Sequence, residues 1–371
     1  MNSILSFVKR EAVLCISLLL ALVSCFFVMP DGEYISYIDF RTLALLFCLM
    51  AVMSGFTKAG LFSSLAERLI KATCTSRGLQ AVLTLLCFVF SAFITNDVAL
   101  ITFVPFSITV LTLAKRTDMI PLTVVMQTVA ANMGSCLTPI GNPQNIYLYN
   151  ISDISFLEFF LLLVPYAGIT LLALLVLLFF KKNSKVSSDT DSSSAMKVKP
   201  TVIYSVLFAL NILGVMKAIP YPVCLAVTLI VLLLFDRKIL LKVDYSLLLT
   251  FVGFFIFIGN IGRIPLFKEF IENMLAGREV IFSALISQII SNVPAALLLS
   301  HFTEGYSALL VGVNIGGLGT LIASMASLIS YKYIAAALPD KKCAYLVLFS
   351  AVNFVLLGVL LGLNMLLVGF I

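Results

Sequence analysis

Charge is scarce in this chain. Of 371 residues, 11% are Asp, Glu, Lys or Arg and 61% are hydrophobic, and the mean hydropathy is +1.13. That excludes a soluble globular domain, because one hydrophobic core stops growing long before it could bury so much apolar surface. Histidine is nearly absent, with His301 alone. A single histidine and a single clearly intramembrane acid leave no paired acid and base, so an intramembrane enzyme is a weak rival. No two of the eight cysteines form a CxxC pair, which removes the usual zinc and disulfide frameworks. Most of them lie in apolar runs and read as packing residues; only at Cys136, inside a motif, does ligation of a soft ion compete with packing. No nucleotide-binding loop of the Walker type appears, so a gradient must supply the energy unless a separate ATPase subunit does. Short alternating segments are missing too, which argues against a membrane β-barrel.

What the chain has instead is long, continuous Leu- and Phe-rich runs. Its class is therefore an all-α polytopic membrane protein. Runs long enough to cross a bilayer fall at 12–29, 40–56, 155–180, 201–217, 220–235, 244–262 and 343–370. The first follows Lys9-Arg10 and contains Leu22-Val23-Ser24-Cys25, which imitates a lipoprotein signal; the run continues to Met29, so an uncleaved first helix is expected. Regions 118–150 and 305–335 are also long enough but are interrupted by Gly, Asn, Ser and, in the first, Pro. Regions 79–114 and 279–302 break at their centres, at Thr95-Asn96-Asp97 and Ser291-Asn292-Val293-Pro294. Each half is short for a crossing, so both regions are expected to be re-entrant hairpins with their tips inside the protein.

Nine crossings and two hairpins follow, with the N-terminus in the cytoplasm and the C-terminus outside. Nineteen of the 24 Lys and Arg then face the cytoplasm, and Arg41, Lys217, Arg263, Lys268 and Arg278 face out, which satisfies the positive-inside rule. The net charge of +6 suits loops beside anionic lipid better than a nucleic acid. Segment 181–200 is polar and low in complexity, and is expected to be a disordered cytoplasmic linker.

The linker divides the chain into halves that repeat. Ser91-Ala92-Phe93-Ile94-Thr95-Asn96 aligns with Ser287-Gln288-Ile289-Ile290-Ser291-Asn292, and the stretch from Asn132 to Asn142 aligns with that from Asn314 to Ser324. A short amphipathic segment precedes each hairpin, at 61–69 and 266–274, and is expected to lie along the interface. Residues 1–180 form the first repeat and 218–371 the second, and 201–217 is a single connecting helix that inverts one repeat relative to the other.

Broken helices expose N–H groups that attract anions and carbonyls that ligate cations, and short polar side chains complete both shells without burying charge. Thr95, Asn96, Ser291 and Asn292 are the tip candidates. Gly134, Thr138, Pro139, Gly141, Asn142, Pro143 and Asn145 break the first partner helix; Gly316, Gly317, Gly319, Thr320, Ser324 and Ser327 break the second. Such clusters also serve close helix packing. Their recurrence at matched places, with Asn among them, argues for a binding site. Asp97 has no counterpart, because Val293 stands in its place. Two readings stay open for it: a helix cap on a wet vestibule, or a coupling residue for Na⁺ or a proton. His301 is placed at the outer end of the second hairpin and reads as a surface residue.

The stretches Ile94-Thr95-Asn96-Asp97-Val98-Ala99-Leu100, Leu137-Thr138-Pro139-Ile140-Gly141-Asn142-Pro143-Gln144-Asn145 and Ile290-Ser291-Asn292-Val293-Pro294 resemble motifs of the ion transporter superfamily. That group holds divalent-anion:sodium symporters, citrate carriers, arsenite permeases and some sodium/proton antiporters. Within it the likeness is to YbiR-like permeases of the bacterial inner membrane, labelled as anion transporters. The resemblance implies a transport domain that moves against a dimeric scaffold. It implies substrate and sodium at Thr95-Asn96 and Ser291-Asn292, with Thr138, Asn142 and Thr320. Together with the broken-helix reading, the expectation is substrate at Thr95, Asn96, Thr138, Pro139, Asn142, Ser291, Asn292, Thr320 and Ser324, and ion coupling through Asn96, Asp97, Gly134, Asn145, Asn292 and Gly316. Sodium would sit at Asn96, Asp97 and Asn292. The chain departs from the symporter pattern in reading Thr-Asn-Asp and Ser-Asn-Val at its tips, and in lacking Pro-Pro-Asn in the second broken helix.

The function expected is an ion-coupled secondary transporter of a small anion, driven by Na⁺ or H⁺ and working by alternating access. The alternatives are efflux of arsenite or a related oxyanion, Na⁺/H⁺ antiport through Asp97, and a passive channel. No cofactor beyond the coupling ion is expected; the partners expected are the bilayer, the solute and a second copy of the chain.

Overall fold

The structure, a computed structural model, describes residues 11–61, 64, 73, 75–181, 183–184 and 197–368. It is all-helical, as the apolar runs require. The helices are α1 (Ala12–Ser24), α2 (Phe40–Ala59), α3 (Ser76–Ile94), α4 (Asn96–Leu113), α5 (Ile120–Ser135), α6 (Pro143–Ile151), α7 (Phe156–Phe179) and α8 (Val198–Val215). They continue as α9 (Tyr221–Phe235), α10 (Tyr245–Gly262), α11 (Pro265–Leu275), α12 (Glu279–Ile290), α13 (Asn292–Leu299), α14 (Tyr306–Ile315), α15 (Met325–Ala337) and α16 (Lys342–Val368).

Local chemistry sets many of the ends. Asp39 caps α2 by accepting from Thr42 N at 3.0 Å, and Gly60 ends it in the left-handed conformation. Ser155 and Glu158 form a reciprocal capping box at the start of α7. Seven helical segments among the described residues are long and apolar enough to cross a membrane: α2 with its preceding turn, α3, α4, α7, α8, α10 and α16 with its preceding turn. Leu161 and Leu172 on α7 and Val347 and Val355 on α16 stay exposed, as a lipid-facing surface requires.

The hairpin at 79–114 differs from expectation. Thr75 caps α3 early, and a single residue, Thr95, separates α3 from α4, so its halves are helices of 19 and 18 residues. Both are long enough to cross by length alone. In the hairpin at 279–302, α12 has 12 residues and α13 has 8, roughly 18 and 12 Å at 1.5 Å per residue, and neither can cross. The interruptions in 118–150 and 305–335 fall where the glycines and polar residues put them, between α5 and α6 and between α14 and α15.

The connecting helix begins earlier than 201, at Val198. Most of the linker, and all of the 61–69 segment except Leu61 and Ser64, lies outside the described residues. Of the linker's described residues, Ser184 is tied to α3, since its carbonyl accepts from Ser76 N at 2.8 Å. The other amphipathic segment is α11, which buries Ile271 and Leu275 and exposes Leu266 and Phe270.

α5 lies at the centre. It is buried from Thr123 to Ser135 and packs against α3, α4, α7, α15 and α16. α12 pairs with α14, α1 with α10, and α2 with α8 and α9. The broken elements therefore form the interior, with the longest apolar helices around them.

Candidate functional site

Both hairpin tips carry the same unusual backbone. Thr95 has φ 71° and ψ 150°, and Ser291 has φ 77° and ψ 154°. Side-chain-bearing residues rarely enter this region, and such strain concentrates at functional sites. Each tip residue ends one helix and begins the next, so the first-turn N–H groups of α4 and α13 lie inside the protein.

Two glycines seat the partner helices on these hairpins. A Cβ on Gly134 would come within 2.0 Å of Phe88 O and 2.6 Å of Ser91 Oγ; one on Gly316 would come within 2.8 Å of Ala284 Cα and 2.9 Å of Ser287 Cβ. The sequence alignment pairs Gly134 with Gly316 and Ser91 with Ser287, and carried back along the same register it pairs Phe88 with Ala284. Backbone contact this close admits only glycine.

Asn132 on α5 joins the first tip to the loop between α14 and α15. Asn132 Oδ1 accepts from Asn96 Nδ2 at 3.1 Å and from Ser324 Oγ at 2.9 Å, while its Nδ2 donates to Gly317 O at 3.3 Å. Asn292 reaches the same place, with Asn292 Nδ2 beside Gly317, and Asn292 N donates to Ala323 O at 2.9 Å. A second bridge runs from Asn314 Nδ2 to Asn145 Oδ1 at 2.8 Å. Hairpin tips and broken helices from both halves thus meet in one buried cluster of neutral polar side chains.

Several candidate residues hydrogen-bond within the loops around this cluster. Thr138 Oγ1 donates to Ala92 O, and Asn142 Nδ2 donates to Ser135 Oγ at 2.6 Å. Thr320 donates to Gln288 O at 3.0 Å from its hydroxyl and to Gln288 Oε1 at 2.9 Å from its N–H, at the partly exposed edge of the cluster. Pro139 opens a short 3-10 turn. Asp97 N donates to Asn96 Oδ1 at 2.8 Å, while the Asp97 carboxylate keeps a buried Oδ1 without a partner.

Asn132, Asn314 and Gln288 belong to the site's architecture without having been singled out as candidates. The signal for the first two was their shared place in the alignment. Nothing in the sequence distinguishes Gln288, whose amide nitrogen donates to Gly316 O and Leu318 O, both at 2.9 Å. His301 is exposed, at the mouth of an open depression of about 520 Å³ that Tyr147 and Ser300 also line. Cys136 is buried with its thiol on Met133 O, a packing arrangement.

Known proteins resemble the chain along most of its length. An uncharacterized transporter of Methanocaldococcus jannaschii is 34% identical over 305 residues, covering 81% of this chain and 82% of that one. The inner membrane protein YbiR of Escherichia coli is 33% identical over 303 residues, covering 80% of each. The silicon efflux transporter LSI3 of Oryza sativa subsp. japonica is 34% identical over 159 residues, 42% of this chain and 32% of that one. The family model described as citrate transporter matches residues 4–307, and the chain belongs to that family of membrane transporters.

Proposed function

We propose that this transporter is a gradient-driven secondary carrier of a small anion, working by alternating access with Na⁺ or H⁺ as the coupling ion. The observation that carries the reading is the buried polar cluster in which Asn132 ties the first tip to the second broken helix and Ala323 O ties in the second tip. The starts of α4, α6, α13 and α15 offer the positive end of a helix dipole to an anion, and loop carbonyls offer oxygen to a cation. The matched strain at Thr95 and Ser291 and the matched seats of Gly134 and Gly316 support a pair of structural repeats, a build common among alternating-access carriers. The nine-crossing topology with a cytoplasmic N-terminus, and assembly as a dimer, belong to the same reading.

In this scheme Thr95, Asn96, Ser291, Asn292 and Ser324 hold the solute, with Thr138, Pro139, Asn142 and Thr320 shaping the loops around it. Asp97, through its free Oδ1, binds the coupling ion beside Asn96. One observation favours a second reading, efflux of a neutral oxyacid. Among the described residues the buried polar side chains are all Ser, Thr, Asn or Gln, with no cation to neutralise a multiply charged solute. The relative named as a silicon efflux transporter is in keeping with this.

Uptake into proteoliposomes separates the readings. Citrate, phosphate, arsenite and silicic acid are tested with Na⁺ and pH varied independently. Asp97→Asn is expected to abolish gradient dependence while leaving folding intact, and unchanged gradient-driven uptake would reject the coupling role. Flux that neither saturates nor follows an imposed gradient would identify a channel.

A further inference from the structure

Gln144, the second residue of α6, is fully buried, and neither its amide oxygen nor its amide nitrogen has a hydrogen-bond partner. Among the described residues it alone leaves both ends of a side chain unsatisfied. Desolvating an amide without compensation is costly, so native structures rarely leave one so.

Helix geometry shows where this amide faces. Gln144, Tyr147 and Ile151 follow one another at three and four residues and form a single stripe along α6. Tyr147 points at α13 and α10: its hydroxyl lies 3.0 Å from Ser300 Oγ, and its ring centroid is 5.6 Å from that of Phe255. Tyr147 and Ile151 line the open depression that also holds Ser300, His301, Lys268 and Glu272. Gln144 therefore lies one turn beneath the floor of that depression, and the Tyr147–Ser300 pair is the floor.

We propose that Gln144 is a solute-binding, selectivity-determining residue behind a plug made by Tyr147 and Ser300, and that the depression is the access route to it. The amide carries two donors and one acceptor. It is fully satisfied by a solute that presents both an acceptor oxygen and an O–H group, the pattern of a neutral or partly protonated oxyacid. A fully ionised anion would satisfy the donors and leave Oε1 unpaired. The solute assignment rests on the carrier reading above; the access route does not.

Thiol labelling tests the route without any transport measurement. Purified full-length Gln144→Cys in detergent is treated with a small charged methanethiosulfonate reagent, and modification at position 144 is read by peptide mass spectrometry, so the native cysteines do not interfere. Labelling is expected to be slow and to accelerate at least about tenfold when Tyr147→Ala is added. Ser300→Ala is expected to give a smaller acceleration, and His301→Cys to react quickly in every background. A Gln144→Cys rate indifferent to both Tyr147→Ala and Ser300→Ala would overturn the plug.

A second arm tests the ligand role. Gln144→Leu removes two unpaired polar atoms and is expected to raise the unfolding temperature. At the same time it should raise the KM for whichever of arsenite and citrate is carried at least about tenfold, with Gln144→Asn in between. A Gln144→Leu protein with unchanged KM would show a purely structural residue and overturn the assignment.

Discussion

Thr95→Gly and Ser291→Gly test whether the hairpin tips store backbone strain. Their conformation, near φ 71–77° and ψ 150–154°, costs on the order of 1–3 kcal/mol at each site. Glycine removes that cost and adds about 0.5–1 kcal/mol of chain entropy to be lost on folding. The hydroxyl hydrogen bonds that glycine removes are long, 3.5 Å from Val98 N to Thr95 Oγ1 and 3.4 Å from Ser291 Oγ to Ala323 O. Each is worth no more than about 0.5 kcal/mol. The balance runs from about −0.5 to +2 kcal/mol, and at the middle of each range relief of strain wins by roughly 0.5–1 kcal/mol per variant. For a chain of this size that is a rise in unfolding temperature of about 1–3 °C per site. The chain has no tryptophan, so the assay is a thiol-reactive dye that reports release of the buried Cys48, Cys87, Cys136 and Cys224. Uptake is expected to fall in the same variants, because the tip loses its fixed backbone along with its hydroxyl. A lower unfolding temperature in both variants would refute the strain argument.

Three further outcomes follow from the geometry. Asn132→Leu leaves Asn96 Nδ2, Ser324 Oγ and Gly317 O without their partner, so it is expected to cost roughly 2–4 kcal/mol by the same dye assay and to eliminate uptake. Gly134→Ala and Gly316→Ala should sharply reduce the yield of folded protein, since each forces a Cβ into the neighbouring helix; Gly168→Ala and Gly358→Ala, which meet nothing within 4 Å, should leave stability equal or raise it by up to about 1 kcal/mol. The Arg263 guanidinium holds the exposed Asp31 carboxyl below its usual value of 3.8. Its small contribution is complete above that value and lost as pH falls through the lowered one, and Asp31→Asn should remove that part of the acid sensitivity in a pH series of melting curves.

Much of the architecture was legible because a bilayer leaves few options. Apolar runs must be helices, so their number and rough extent follow from length alone. Asn, Ser, Thr and Gly inside such runs stand out as places where the helix breaks, and Thr95-Asn96 and Ser291-Asn292 were visible for that reason. The first hairpin was misjudged in length because a run's apolar centre does not report its cap. Thr75 starts α3 ahead of the apolar stretch, and only one residue is spent at the break.

The site's wiring was not legible. Gln288 bonds to a loop about 30 residues away, Asn132 reaches Gly317 and Ser324 across 185 and 192 residues, and no local pattern encodes such pairings. By itself the sequence determined that this is a helical membrane protein, where its helices break, and which two segments echo each other, because hydropathy and backbone freedom are local properties. Only the tertiary structure decided that Asn132 ties the first tip to the second broken helix, that Thr138 and Asn142 hydrogen-bond within the loops, and that Gln144 lies unpartnered one turn from Tyr147. Hydrogen-bond partnership in a buried cluster depends on which distant segments arrive there, and packing settles that.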